Sequence, residues 1–126
     1  MIAAEKLPPI HHLLGGHDVT YDVSQGSLQA KYQALADFTN PKNTVEGGMI
    51  CAMLDDAMGI LAHVVENKPS STVSLSMEFL RPCQIGEVLV MAQVIRQGKS
   101  VLNLESQAWQ NGKMLTKCQA VFLILS

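Results

Sequence analysis

Basic residues never cluster in this chain. Its 9 Lys and Arg are scattered among 11 Asp and Glu, for a formal charge of −2, which argues against nucleic acid or an anionic membrane as partner. A CxxC pair is also missing. Cys51, Cys83 and Cys118 are odd in number and read as reduced thiols of a cytoplasmic protein. His11, His12 and His17 have no acid or cysteine at ligand spacing, so no metal or other cofactor is expected. The opening MIAAEKLPPIHHLLGG lacks the apolar core of a signal peptide, and no run is read as approaching the length of a membrane span. Repeats, low-complexity tracts and linkers are absent, so residues 1–126 read as one domain with an irregular segment or one short helix over residues 1–16. Hydrophobic residues make up 48% of the chain and charged ones 16%. That is a globular composition, rich enough in apolar residues for some surface to be buried between subunits.

What is present is concentrated in Asn40–Gly59, NPKNTVEGGMICAMLDDAMG. A polar loop leads into Gly47-Gly48, where a helix should open and leave outward N–H groups able to polarise a carbonyl. Two adjacent acids, Asp55 and Asp56, follow inside an apolar run, where carboxylates are rare without a partner or a task. Placed at about 100° per residue, Glu46–Glu66 shows an apolar arc of Met49, Ile50, Met53, Leu54, Ala57, Met58, Ile60, Leu61, Val64 and Val65. The opposite arc holds Gly48, Cys51, Ala52, Asp55, Gly59 and Ala62. Asp55 is centred on this small-residue face, open to close approach, and is the working acid of the pair. Asp56 falls at its edge and reads as a partly exposed acid paired with His63 or a lysine. Cys51 shares the face with Asp55 but has no sequence-local base, and reads as a core thiol.

Two short strands, His17–Val23 and Ser27–Leu35, precede a loop over Asp37–Val45. Beyond the helix the period becomes two. Val73, Leu75, Met77 and Phe79 alternate with polar residues as a half-buried strand. Pro82–Gly86 turns into Glu87–Arg96, apolar on both faces and so central. A turn at residues 97–100 leads to Val101–Gln110, and Asn111-Gly112 marks a hairpin into Lys113–Leu125. The expectation is an α+β fold, a four-stranded antiparallel meander and two further strands curled around one long helix.

This order resembles the hotdog fold, and the local pattern resembles the PaaI-like acyl-CoA thioesterases of the phenylacetate-pathway type, over about Gly15 to Leu125. The likeness rests on Asn40, Gly47-Gly48 and Asp55 at the family's spacing, with FLRPCQIGEVL and IRQGKSV similar to its strand ends and turns. The resemblance implies that the Gly47 N–H, with Gly48 beside it, holds the thioester oxygen, and that Asp55 acts from across a dimer interface as general base or nucleophile. Asn40 would orient water or thioester, and Thr72 would help position the water. A homodimer, often a dimer of dimers (homotetramer), is also implied, with acyl-CoA as substrate. Met49, Met53 and Met58 are candidates to line an acyl tunnel, and the 5% aromatic content leans toward an aliphatic one. Arg81, Lys99 and Lys113 sit at strand ends where CoA phosphates would be met.

One residue departs from the pattern. The family's usual His is Glu46 here, favourable at a helix start but repulsive to a nearby oxyanion, and it is expected to point away from the reacting carbonyl while still bordering the substrate. Two rival readings stand beside hydrolysis. A catalytically weak acyl-CoA binding or sensing module follows from Glu46. An enoyl-CoA hydratase or dehydratase is suggested by Asp37-Phe38-Thr39-Asn40-Pro41, although the spacing differs and the hydratase His is missing.

Overall fold

A computed structural model describes residues 6–125. Helix α1 (Pro9–Leu13) leads to β1 (His17–Asp22) and β2 (Ser27–Ala34), then to a 3-10 turn at Ala36–Phe38. The long helix α2 (Gly47–Glu66) follows, and then β3 (Ser70–Phe79), β4 (Gly86–Gln97), β5 (Val101–Gln110) and β6 (Lys113–Ile124). The strands form one six-stranded antiparallel sheet in the order β1-β2-β4-β5-β6-β3. Wrapped around α2, this is the hotdog fold.

The helix ends where its sequence says it should. Asn67 takes a left-handed φ of 53°, and its N–H bonds His63 O at 2.8 Å, a C-terminal cap with Pro69 two residues beyond. Asn111 and Gly112 both have positive φ, as a tight two-residue hairpin turn requires. The core forms where Ile50, Met53, Leu54, Ala57, Met58 and Leu61 of α2 meet Tyr32, Val88, Val90, Leu102, Leu104 and Phe122 from the sheet. By length and composition α2 could cross a membrane, contrary to the expectation that no run approaches a span. Nine of its residues are buried within the chain, and the sheet supplies the apolar surroundings that the composition calls for.

Two expectations about the strands need correcting. The four-stranded meander is in fact a three-stranded one, β4-β5-β6. Strand β3 crosses over to pair with β6, while β4 pairs with β2. Residues 80–85 are therefore a connection across the sheet and not a hairpin turn. Strand β3 is also more exposed than its alternation implied. It lies at the sheet edge, its register shifts between Thr72 and Ser74, and Val73 and Phe79 are 62% and 53% exposed. An alternating pattern specifies which side chains share a face, but a neighbouring chain surface is needed to cover that face.

Candidate active site

Strand β3 runs back along α2 and brings Thr72 to Asp55. The Thr72 hydroxyl donates to Asp55 Oδ1 at 2.7 Å. That leaves Oδ2 free of this bond on a half-exposed carboxylate. Cys51, one turn earlier, has its thiol pKa raised by partial burial and then by the Asp55 charge, so it is a poor nucleophile. A chamber of about 700 Å³ opens beside the Asp55–Thr72 pair, walled by Gly59, Ile60 and Val64 of α2, Phe122 of β6, and Leu7 and Pro8 of the head.

Asp56 does not pair with His63 or with a lysine. It is buried, and its Oδ2 lies 2.7 Å from His11 Nδ1 and accepts the Tyr32 hydroxyl at 2.8 Å. His63 is exposed. Burial, then the Asp56 charge, pushes the Tyr32 phenol far above its usual range, so Tyr32 remains a donor throughout the working pH range. His11 is fully buried and its Nε2 has no hydrogen-bond partner. The acid that the sequence could not find for His11 is thus Asp56, 45 residues away. Among the described residues, no group of three or more His, Cys, Asp and Glu converges as a metal site.

At the other end of the unit, Gly47 opens α2 against the Phe79 ring. A Cβ built there would lie 3.1 Å from Phe79 Cζ, whereas one on Gly48 meets nothing within 4 Å. A side chain at Gly47 would therefore have to push the exposed Phe79 ring back by a few tenths of an ångström, whereas Gly48 has room for one. The Gly47 N–H donates to Glu46 Oε1 at 3.2 Å, so Glu46 does not point away from the N–H assigned to the substrate carbonyl. It covers that N–H as a cap, because the first N–H groups of a helix have no partner within it. A cleft of about 320 Å³ borders Gly47 and contains Phe79, Arg81 and Lys42. Lys42 was not singled out from the sequence, and its only signal there was a place in the polar loop. Arg81 Nη1 donates to Met114 O at 2.8 Å, which fixes part of the guanidinium at this rim. Lys99 sits in the β4–β5 turn and borders neither this cleft nor the Asp55 chamber.

Asn40 is occupied by its own loop. Its Oδ1 accepts from Lys42 N (2.9 Å), Thr44 N (3.3 Å) and Thr44 Oγ1 (3.2 Å), an Asx-type turn. The Thr39–Val45 bridge and the bond from Val45 N to Cys83 O hold the loop down. Asn40 therefore shapes the entry to α2, and any contact with substrate falls to its NH2 end.

Known proteins share this fold. The Thioesterase superfamily model matches residues 42–117, more than half of the chain. A phenylacetic acid degradation-related protein of Ralstonia eutropha superposes with a TM-score of 0.89 at 34% identity, covering 93% of this chain and 90% of that one. Escherichia coli PaaI, at 19% identity, shares the fold with a TM-score of 0.87 over 97% of this chain and 88% of its own. The acyl-CoA thioester hydrolase YciA of Escherichia coli is 28% identical over 92 residues, 71% of this chain and 70% of YciA. The chain belongs to the thioesterase superfamily. It is accordingly a thioester hydrolase of hotdog fold.

Proposed function

We propose that the protein hydrolyses acyl-CoA thioesters to CoA and a free acid, with Asp55 as the general base. The observation that carries this reading is the Asp55–Thr72 pair on the open face of α2. Thr72 holds one carboxylate oxygen, and the other takes a proton from water as the water oxygen bonds to the thioester carbonyl carbon. The resulting oxyanion is met by the Gly47 N–H at the helix start. Collapse breaks the C–S bond, and the thiolate leaves with the proton that Asp55 had taken. Direct attack by Asp55 on the carbonyl carbon is the alternative route. Single-turnover hydrolysis in heavy-oxygen water would label Asp55 only on that route.

Helix geometry supports assembly as a homodimer. Gly47 and Asp55 are eight residues apart, about 12 Å along the axis, too far to serve one thioester from a single copy. The exposed ten-residue edge β3 carries Thr72 and Phe79, which touch both ends of the site, so pairing of β3 with its copy brings Asp55 of one chain toward Gly47 of the other. The tetramer and the cytoplasmic location remain proposals; the latter draws support from three free thiols. Arg81 and Lys42, which line the cleft beside Gly47, are the proposed contacts for CoA phosphates; Lys99, in the β4–β5 turn, would reach them only from another copy.

A second reading, an acyl-CoA binding module with little turnover, is favoured by one specific observation, the Glu46 carboxylate on the Gly47 N–H. Free-thiol release from a panel of acyl-CoAs separates the two. CoA release by the native protein that collapses in Asp55→Asn supports hydrolysis; binding without release above the Asp55→Asn background supports the binding module.

A further inference from the structure

The head of the chain contributes two things to α2. Residues Leu7 and Pro8 form one wall of the chamber that begins at Asp55 and Thr72. Three and four residues later His11 is locked to Asp56, which also accepts from Tyr32. The lock is tight. Gly16 lies so close against the His11 imidazole that a Cβ there would come within 2.2 Å of its Cε1, and the Gly16 N–H bonds His11 O at 2.8 Å. Leu14 is fully buried, and its carbonyl accepts from Gln33 N at 3.0 Å. A buried acid with two buried donors costs desolvation that packing alone does not require. Its geometric consequence is to fix where Leu7 and Pro8 stand relative to Asp55.

We propose that the head segment Lys6–Pro8, held against α2 by the His11–Asp56–Tyr32 network, is the wall that sets acyl-chain length in the chamber beginning at Asp55. The occupant is an uncharged aliphatic acyl chain, because Leu7, Pro8, Val23, Ile60, Val64 and Phe122 supply more of the chamber's surface than its polar residues beyond the Asp55–Thr72 pair, Lys6, Tyr21, His63, Asn67 and Ser70. The α2 residues that line the chamber run from Asp55 past His63 and Val64 to the cap Asn67, twelve residues or about 18 Å. An extended chain on the order of fourteen carbons spans that length. His11 and Tyr32 are positioning residues, and Leu7 is the specificity contact. The inference rests on the acyl-CoA reading above for the identity of the ligand.

The test uses the full chain in two assays. One measures kcat/KM for CoA release across saturated acyl-CoAs of graded length, and the other measures calorimetric binding of thioether analogues that cannot be hydrolysed. Leu7→Trp advances the wall and leaves the network intact. It is expected to lower kcat/KM about tenfold or more at the longest chains the native protein accepts, while the shortest stay within about twofold. Leu7→Ala shifts the preference to longer chains. His11→Ala flattens the length profile while keeping turnover of the shortest substrate. If that variant does not fold, Tyr32→Phe, which removes one donor and keeps the ring, carries the same comparison. Equal loss at every length in Leu7→Trp, or folded network variants with the native profile, overturns the proposal. Native protein that hydrolyses all lengths alike overturns the wall but not the hydrolase reading. Length-dependent, Leu7-sensitive binding of the analogues without CoA release supports the wall and overturns the hydrolase reading instead.

Discussion

Asp55 and Asp56 are neighbours on one helix, identical in chemistry and about 100° apart around the axis. That rotation gives them opposite surroundings. Asp55 is half-exposed and held by a single hydroxyl from the edge strand, an arrangement that costs little and leaves an oxygen for chemistry. Asp56 is buried between α1 and β2, and one of its oxygens meets two donors, which suits it to fixing the position of other elements. A carboxylate does catalytic work where desolvation is mild and a lone pair faces the substrate; it does structural work where its lone pairs are consumed.

Substituting each acid in turn breaks this comparison most directly. Asp55→Asn is expected to lower kcat for CoA release by about 10²–10⁴-fold, with a thermal midpoint close to native because the site is open. Asp56→Ala is expected to do the reverse. It strands the buried His11 and Tyr32 donors and costs about 3–5 kcal/mol in a denaturant titration, while kcat on a short acyl-CoA, corrected for the folded fraction, stays within a few-fold. A large kcat loss in folded Asp56→Ala, or a large stability loss in Asp55→Asn, would show that the two roles have been misassigned.

The comparison also explains which features the sequence revealed. The helical wheel put the two acids on different sides of α2, because one-dimensional periodicity fixes a residue's direction around the axis, but it read Asp56 as partly exposed and Asp56 is buried. It did not reveal Asp56's partners, since His11 and Tyr32 are 45 and 24 residues away and meet only when the sheet closes. The exposure of β3 was illegible for the same reason. Its alternation specified a face, but its pairing with β6 is a long-range choice. Hairpin β5–β6 was legible because Asn111-Gly112 encodes it locally. The Glu46 cap is local too, and it forms because the unpaired N–H at the helix start is always present, whereas repulsion from an oxyanion acts only when substrate is bound.

Glu46 sharpens the comparison as a third carboxylate, more exposed than Asp55 yet with a lone pair spent on the helix. Glu46→Ala frees the Gly47 N–H. Losing one hydrogen bond of this kind is worth about 0.5–1.5 kcal/mol, so kcat/KM for acyl-CoA hydrolysis is expected to rise about two- to tenfold, with slight helix destabilisation. A fall in kcat would instead make Glu46 a participant in turnover.

The smallest effect belongs to the surface counterpart of the His11–Asp56 pair. His17 Nε2 lies 3.2 Å from Glu87 Oε1, both side chains well exposed. The His17 pKa is raised, first by its Nδ1 bond to Gly15 O and further by Glu87. A raised folded-state pKa contributes stability that is fully present below the unfolded value of about 6.5 and is lost as pH rises through the folded value. His17→Gln should therefore lower unfolding free energy more at mildly acidic pH than at mildly alkaline pH. Solvent screening limits the difference to about 0.5 kcal/mol, read from paired denaturant titrations. An effect as large as that of Asp56→Ala would mean that exposure does not separate these two histidine–carboxylate pairs, and the contrast drawn between Asp55 and Asp56 would lose its physical basis.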